Sequence, residues 1–374
     1  MAKKNNFDYN LYEKAKYYWL NRLRDFSVAP KLMLEKDESE IKKQIFKRRQ
    51  TVYDKDQWDR LKGFARDNNI TPTVLLLTAF SLVLRKWAKN KEFSLNLTQF
   101  NREQLHADID KIVGDFTTLT LLEVKIKDNS SFLDNAKILQ NQLALDMEYS
   151  SYSAIEFQRE LRKRDNNFNK SLMPIVFTSG LGINEWNEDN WIGKLIFNIS
   201  QTPQVWLDHQ IIEKDGCLNI FWDSIDELLS KSRMDNMFAE YKNILDNLMR
   251  NPEFIFNIIT IEDEPKVTIE SIDEKDNNYI GNNPNIDCAV YIDNEVEVEL
   301  QKIWRDILSV NNFSNNESFF KLGGDSLKMI QIINQLNKKY NIDITVSEFA
   351  SNNSIREIGE IIRAKIEEKE IGSI

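Results

Sequence analysis

Apolar positions in the first 90 residues recur at helical spacing in three segments. The first, YNLYEKAKYYWLNRL, runs from about Tyr9 to Leu23. The second starts after Asp54 in the sequence DKDQWD, whose acidic residues suit the first turn of a helix. The third, TPTVLLLTAFSLVLRKWA, starts at Thr71 and Pro72, a capping residue followed by a residue favoured at the first helical position. We expect this third helix to be largely buried because it is apolar over most of its length.

Strand-like segments follow this helix. They are FSLNLTQF (93–100), TLTLLEVKI (118–126), MPIVFTS (173–179) and the stretch 194–222. The dipeptide Asp215-Gly216 divides the last stretch into the two arms of a hairpin. Helical patterns occupy residues 132–163 and 232–248. This irregular alternation predicts an α/β sandwich with a mixed sheet for residues 1–250.

The pattern changes sharply after residue 250. Residues 251–294 contain ten acidic residues against two lysines and a run of Asn, Asp, Gly and Pro, which is typical of a flexible acidic linker. Beyond it, Leu300, Ile303, Trp304 and Leu308 share one helical face, and further helical patterns begin near residues 326, 346 and 354. Residues 295–370 are therefore predicted to form a four-helix bundle.

Composition narrows the classes of function. The chain has 374 residues, enough for two or three domains, and 41% of them are hydrophobic. Its net charge of −10 argues against a nucleic-acid partner. Cys217 and Cys288 are too few for a disulfide framework, and no Cys/His cluster suggests a metal site. Because the sequence lacks a signal-peptide pattern and any apolar run of about 18 residues, we expect a cytoplasmic protein with no membrane partner.

Ser326 follows two glycines in the sequence FFKLGGDSL (319–327). Taken alone, this is a helix N-terminus at which Asp325 or Ser326 caps free backbone NH groups. Together with the amphipathic helix before it and the segment SEFASNNSIREIGEII after it, the region resembles the peptidyl carrier (thiolation) domain of nonribosomal peptide synthetases. The resemblance implies that a separate phosphopantetheinyl transferase attaches 4′-phosphopantetheine to Ser326, whose arm then carries an aminoacyl or peptidyl thioester.

Three apolar residues open the helix after Ser326. In carrier domains, some apolar residues here stay exposed as a docking patch for partner domains. We expect Leu327 and Met329 to form that patch and Ile330 to lie in the bundle core, although all three could be core residues.

Four segments in the first 250 residues match one family in order and spacing. They are TPTVLLLTAFSLVLRKW, FSLNLTQFNREQLHADIDKIVGDFTTLTLLEV, LMPIVFTSGLG and ISQTPQVWLDHQIIEKDGCLNIFWD. They resemble the heterocyclization variant of the condensation domain, which consists of two chloramphenicol-acetyltransferase-like lobes with a tunnel between them. The resemblance places this sequence in the second lobe. An N-terminal lobe would then be supplied in trans, together with the Asp-x4-Asp signature of the family.

Two pairs of residues have the Asp-x4-Asp spacing without the right context. Asp54 and Asp59 open a helix, and Asp110 and Asp115 lie in the segment DKIVGDFTT (110–118). The paired histidines of ordinary condensation domains are also absent, since His106 and His209 are the only histidines. This disfavours an ordinary acyltransferase.

The catalytic candidates are Asp208 in QVWLDHQ, Thr178 in VFTS, which the resemblance implies as its partner, and Asn101 in QFNR. Asn101 could hydrogen-bond an intermediate or only cap a turn. A buried carboxylate of raised pKa suits two-way proton transfer, and apolar neighbours should raise the pKa of Asp208. Gln201 and Gln204 are weaker candidates for the same site. On a strand, His209 should face away from Asp208, so a dyad of these neighbours is not expected.

The resulting hypothesis is a synthetase component that condenses and cyclodehydrates Cys, or Ser or Thr, to a thiazoline or oxazoline. Cysteine is favoured because thiazoline formation is common in the family. Since only the acidic segment separates the two domains, an adenylation domain should act in trans, with upstream and downstream carrier or synthetase subunits as further partners. The alternative is a noncatalytic docking scaffold fused to a working carrier.

Overall fold

The structure is a computed structural model. It describes residues 9–100, 116–166, 170–182, 199, 202, 204–257, 295–308, 310, 312–324 and 326–371. The helices are α1 (Tyr9–Arg22), α2 (Lys55–Asp67), α3 (Pro72–Trp87), α4 (Phe132–Glu148), α5 (Ala154–Asp165), α6 (Asp226–Leu229), α7 (Lys231–Arg250), α8 (Glu295–Leu308), α9 (Ser326–Tyr340), α10 (Val346–Ser351) and α11 (Ile355–Ile371). Within these residues no single helix is long and apolar enough to cross a membrane; α2 and α3, bent at 96°, reach that length and composition only as a pair.

Six strands form one sheet in the first domain. They are β1 (Phe46–Tyr53), β2 (Glu92–Phe100), β3 (Thr117–Lys125), β4 (Ile175–Gly180), β5 (Leu207–Lys214) and β6 (Cys217–Ile225). The strand order is β1-β6-β5-β4-β2-β3, and β4 runs parallel to both of its neighbours while the other pairs are antiparallel. The predicted mixed sheet with helices, an α/β fold, is therefore confirmed.

One face of the sheet carries the main hydrophobic core. Helix α3 is buried over most of its length, as expected, and packs with α7 on this face. Thr71 caps α3 by accepting a hydrogen bond from the Val74 backbone NH (3.1 Å). On the other face, near β3, a smaller cluster joins α1 and α5 to the sheet through Trp19, Leu121 and Phe157. The rest of this second face carries mainly polar side chains, and it contains the site described below.

Two parts of the lobe differ from the prediction. Strand β1 was not predicted because its sequence, FKRRQTVY, lacks an apolar alternation, and its outer edge is unpaired in the described sheet. The helical stretch predicted at 132–163 is two helices, since the chain breaks after Tyr149 and Ser153 caps α5 through the Glu156 backbone NH.

The predicted linker begins later than residue 251. Pro252–Phe256 forms a short 3₁₀-helix, and Ile255 is fully buried in the core of the lobe. The lobe therefore extends beyond its predicted end at residue 250, because this turn buries apolar surface against α4 and α7. Residues 258–294 of the predicted linker lie outside the described part of the chain.

Helices α8 to α11 form the predicted four-helix bundle around Trp304, Phe319 and Phe349. The bundle rests against α4 of the lobe, where Ala144 joins its apolar cluster. A hydrogen bond between the Ser318 hydroxyl and the Asn69 side chain (3.1 Å) adds a polar contact.

Candidate functional site

The hairpin between β5 and β6 sets the register of the site. Asp215 and Gly216 both have positive φ angles, 51° and 74°, as a tight two-residue turn of this type requires. The turn pairs Lys214 with Cys217 and thereby places Asp208 directly opposite Asp223. A shift of one residue would turn Asp208 to the other face of the sheet.

Parallel pairing with β4 then brings Thr178 to Asp208. Strand pairing aligns two rows of side chains on this face. One row contains Asn96, Val176, Asp208, Asp223 and Arg48. The other contains Thr98, Thr178, Gln210, Phe221 and Gln50. Two predicted residues, Asp208 and Thr178, therefore lie on the same face of the sheet.

Asp208 is 4% exposed. Burial raises its pKa to about 6, and the negative charge of Asp223 adds to this shift. Gln210 opposes the shift by donating a hydrogen bond from Nε2 to Oδ2 (2.6 Å), and Thr178 Oγ1 lies 3.5 Å from Oδ1, the long limit of a hydrogen bond. A carboxyl group with this pKa can both accept and return a proton near neutral pH.

Four polar residues of this face were not predicted from the sequence. Gln210 and Asp223 are buried beside Asp208, and Arg48 binds Asp223. Asn96 is 8% exposed, and its Oδ1 has no hydrogen-bond partner among the described residues. Gln210 could have been found, because residues two apart on a strand share a face. Arg48 could not have been found in this way, because strand β1 was not predicted from the sequence.

His209 lies on the opposite face, in the apolar core. It is fully buried, and the rings of Phe80, Phe177 and Tyr241 surround it at centroid distances of 4.6, 4.8 and 5.0 Å. Burial lowers the pKa of its imidazole to about 3. His209 is thus a neutral core residue, separate from the Asp208 site.

The other candidates do not join this site. Asn101 and Gln201 lie outside the described residues, and Gln204 is exposed. Of the pairs with Asp-x4-Asp spacing, Asp110 and Asp115 are also outside. Asp54 caps α2, and Asp59 forms an ion pair with Lys62 (2.9 Å).

The second site is the start of α9, which begins at Ser326. Gly323 has a φ of 86° in the left-handed region that favours glycine. A Cβ atom on Gly324 would overlap the ring of Phe319, so this position also requires glycine. The two glycines bring the chain tightly around Phe319 to the first residue of the helix, a geometry that fits an attachment serine. The side chains of Ser326, Leu327 and Ile330 are not among those described.

The expectation that Met329 is exposed was wrong. It is 3% exposed and belongs to the bundle core. With Phe320 it also lines a small cavity against α4, together with Leu143, Ala144 and Met147. The lobe of the same chain therefore helps to cover the position predicted as a docking patch.

Comparison with known families finds a match for each of the two parts of the chain. Residues 2–265 match the family model described as "Condensation domain", and residues 298–362 match "Phosphopantetheine attachment site". The chain belongs to the condensation-domain family and carries a carrier domain, whose family bears 4′-phosphopantetheine on a serine. It is a nonribosomal peptide synthetase component with relatives of the cyclization type.

Three curated relatives show which synthetases the chain resembles. Bacitracin synthase 1 of Bacillus licheniformis is 31% identical over 72% of this chain and 5% of its own length. Phenyloxazoline synthase MbtB of Mycobacterium sp. (strain MCS) is 32% identical over 61% of this chain and 20% of its own. Pyochelin synthetase PchF of Pseudomonas aeruginosa (strain UCBPP-PA14) is 31% identical over 64% and 13%. The chain thus spans a small part of each relative.

Solved structures support the fold. The cyclization-docking bidomain of EpoB from Sorangium cellulosum matches with a TM-score of 0.60 and 32% identity, over 65% of this chain and 49% of the EpoB chain. The X-domain from teicoplanin biosynthesis matches with a TM-score of 0.55 at 10% identity, which supports the fold alone.

Proposed function

We propose that the lobe catalyses heterocyclization, with Asp208 as the acid/base group, and that the carrier presents the thioester substrate. The observation that carries this proposal is the buried Asp208 carboxyl group, with a pKa raised to about 6, between the Gln210 amide and the Thr178 hydroxyl. The names of the relatives phenyloxazoline synthase MbtB and the EpoB cyclization bidomain support the same chemistry.

The reaction begins with condensation. The α-amine of carrier-bound Cys attacks the upstream thioester, forming an amide and releasing a thiol. The side-chain sulfur then bonds to the new amide carbon, while Asp208 accepts the thiol proton and passes it to the amide oxygen. Thr178 orients either Asp208 or the carbonyl group under attack. Asn101 is a further candidate for hydrogen bonding to this intermediate.

Dehydration completes the ring. Asp208 accepts the proton on the ring nitrogen and donates it to the hydroxyl group, which leaves as water as the C=N bond forms. The product is a thiazoline, or an oxazoline when Ser or Thr replaces Cys. A single carboxyl group can serve both steps because its pKa lies close to neutrality.

We further propose that Ser326 bears 4′-phosphopantetheine, whose terminal thiol holds the aminoacyl or peptidyl group when attached. The complete enzyme would be cytoplasmic. It would combine this lobe with an N-terminal lobe and an adenylation domain supplied in trans, a phosphopantetheinyl transferase, and upstream and downstream carriers. Intact mass after incubation with such a transferase tests the attachment: wild type gains one arm, and Ser326→Ala gains none. A gain in Ser326→Ala would refute the assignment.

Reconstitution with a candidate N-terminal lobe, a loaded upstream carrier and an adenylation domain tests the catalytic proposal. We expect Asp208→Asn to reduce heterocycle formation roughly 10²–10⁴-fold, the range for loss of a general acid/base. Lys214→Gln, at the far end of the same strand, is the control and should retain the wild-type rate. If Asp208→Asn formed heterocycle at the wild-type rate, Asp208 would not be the acid/base group and the scaffold alternative would be favoured.

A further inference from the structure

A charged pair, Arg48 and Asp223, lies on the two strands beyond Asp208. The register places Asp223 of β6 directly across from Asp208, and Arg48 of β1 directly across from Asp223. The three side chains therefore lie in one row on the same face of the sheet.

The contact between Arg48 and Asp223 is bidentate. Arg48 donates from Nε to Oδ1 of Asp223 (2.8 Å) and from one terminal nitrogen to Oδ2 (2.6 Å). Asp223 is fully buried, whereas the Arg48 side chain is 14% exposed and lies over the Phe221 ring at 4.6 Å. A buried carboxylate depends strongly on such a partner, because removing one member of the pair leaves an uncompensated charge.

We propose that Arg48 and Asp223 form a positioning pair that holds Asp208 in the geometry and charge state needed for proton transfer. The role of the pair rests on the proposed function, in which Asp208 is the acid/base group. Neither residue needs to touch the substrate. Asp223 acts through Asp208 across the strand pairing, and Arg48 acts through Asp223 by fixing its orientation and balancing its charge.

Asp223 and Arg48 have opposite electrostatic effects on the pKa of Asp208. The charged groups that act on Asp208 from neighbouring strands are Asp223, which raises its pKa, and Arg48, which lowers it. The β4 and β5 groups beside it, Thr178 and Gln210, are neutral donors, and His209 faces the other side. Loss of Arg48 should therefore raise the pKa of Asp208, and loss of Asp223 should lower it.

A purely structural role for Arg48 predicts something different. The pair would then only attach the edge strand β1 to β6, and its loss would reduce stability without moving the titration of Asp208. Arg49 provides a matched control, because it lies on the same strand but on the opposite face. It binds Asp226 (2.9 Å) and Asp235 (2.7 Å), so it makes the same kind of contact away from the site.

The experiment measures the Asp208 carboxyl titration by ¹³C NMR in the purified full chain labelled at aspartate, with Asp208→Asn used to assign the resonance. We expect Arg48→Gln to raise the apparent pKa and Asp223→Asn to lower it, each by roughly one unit. The double variant Arg48→Gln/Asp223→Asn and the charge-conserving Arg48→Lys should titrate close to wild type. Arg49→Gln should leave the value unchanged.

Shifts of opposite sign with recovery in the double variant would establish the pair. Shifts of the same sign, or none, would overturn the proposal, as would an equal shift in Arg49→Gln. If one single variant fails to fold, the other one decides, because a purely structural pair predicts no shift in the pKa of Asp208 for either Arg48→Gln or Asp223→Asn. The titration needs no substrate, so its result is separate from whether the lobe forms heterocycles. In the reconstituted enzyme, the acid limb of the pH–rate profile should move in the same directions.

Discussion

Asp208 and His209 are neighbours on β5, but their side chains occupy opposite faces of the sheet. Both are buried, and burial favours the neutral form of each: it raises the pKa of Asp208 to about 6 and lowers that of His209 to about 3. Around Asp208, Gln210 and Thr178 donate to the charged form, whereas aromatic rings surround His209. Burial alone therefore does not mark a functional group. A buried group is marked as functional by neighbours that can stabilise its charged form.

The largest expected contrast between the faces is in stability. Phe177→Ala would remove a buried ring that packs on His209 and Phe80, so we expect the free energy of unfolding to fall by about 3–5 kcal/mol. Thr178→Val, one residue along the same strand, should change it by less than about 1 kcal/mol. Urea unfolding of the full chain, followed through the lobe's tryptophan fluorescence, measures both. Equal losses in the two variants would contradict the division into a core face and a site face.

The two neighbours should also give stability opposite dependences on pH. Asp208 has a folded pKa above its ordinary value of 3.8, so its contribution is fully present below that value and is lost as the pH rises through about 6. His209 has a folded pKa below its ordinary 6.5, so its contribution is present above that value and is lost as the pH falls towards about 3. Between about pH 4 and 6 the two effects oppose each other.

Single substitutions should separate these slopes. We compare the change in the free energy of unfolding between about pH 4 and pH 6. In Asp208→Asn this change should be more positive than in wild type by about 2 kcal/mol. In His209→Phe it should be more negative than in wild type by a similar amount. Urea unfolding at several pH values gives the slopes independently of any constant offset that a substitution causes. Parallel slopes in all three proteins would show that neither residue titrates as described.

The sequence predicted which way Asp208 and His209 face better than it predicted the residues around Asp208. The Asp215-Gly216 turn and the alternation of β5 were enough to place Asp208 and His209 on opposite faces. The neighbours of Asp208 were harder to predict from the sequence, because they come from β4, β6 and the polar edge strand β1. Pairing between strands distant in sequence is not encoded in local periodicity. Met329 was misjudged for a similar reason: its cover includes α4, some 180 residues earlier in the chain.

The hydrogen bond from Gln210 offers a finer test of what distinguishes the faces. Gln210→Met would keep the volume and remove the 2.6 Å contact to Asp208, so the pKa of Asp208 should rise by roughly one unit. The ¹³C titration that tests the Arg48–Asp223 pair measures this shift. As a control, Gln50→Met changes the same residue type in the same row but on β1. It should leave the titration of Asp208 unmoved, and an equal shift in both variants would deny Gln210 a specific role.

The smallest effect is expected at Thr178. Its hydroxyl lies 3.5 Å from Asp208, a weak contact, so Thr178→Val should slow heterocycle formation by roughly threefold to tenfold, equivalent to about 0.5–1.5 kcal/mol. Thr178→Ser keeps the hydroxyl and should stay close to wild type. Single-turnover kinetics with both variants measures the difference. A much larger loss in Thr178→Val would mean that the hydroxyl contacts the reacting carbonyl group directly, because a long hydrogen bond to Asp208 cannot account for it. Equal rates in Val and Ser variants would remove Thr178 from the site and leave Gln210 as the neutral donor that sets Asp208 apart from His209.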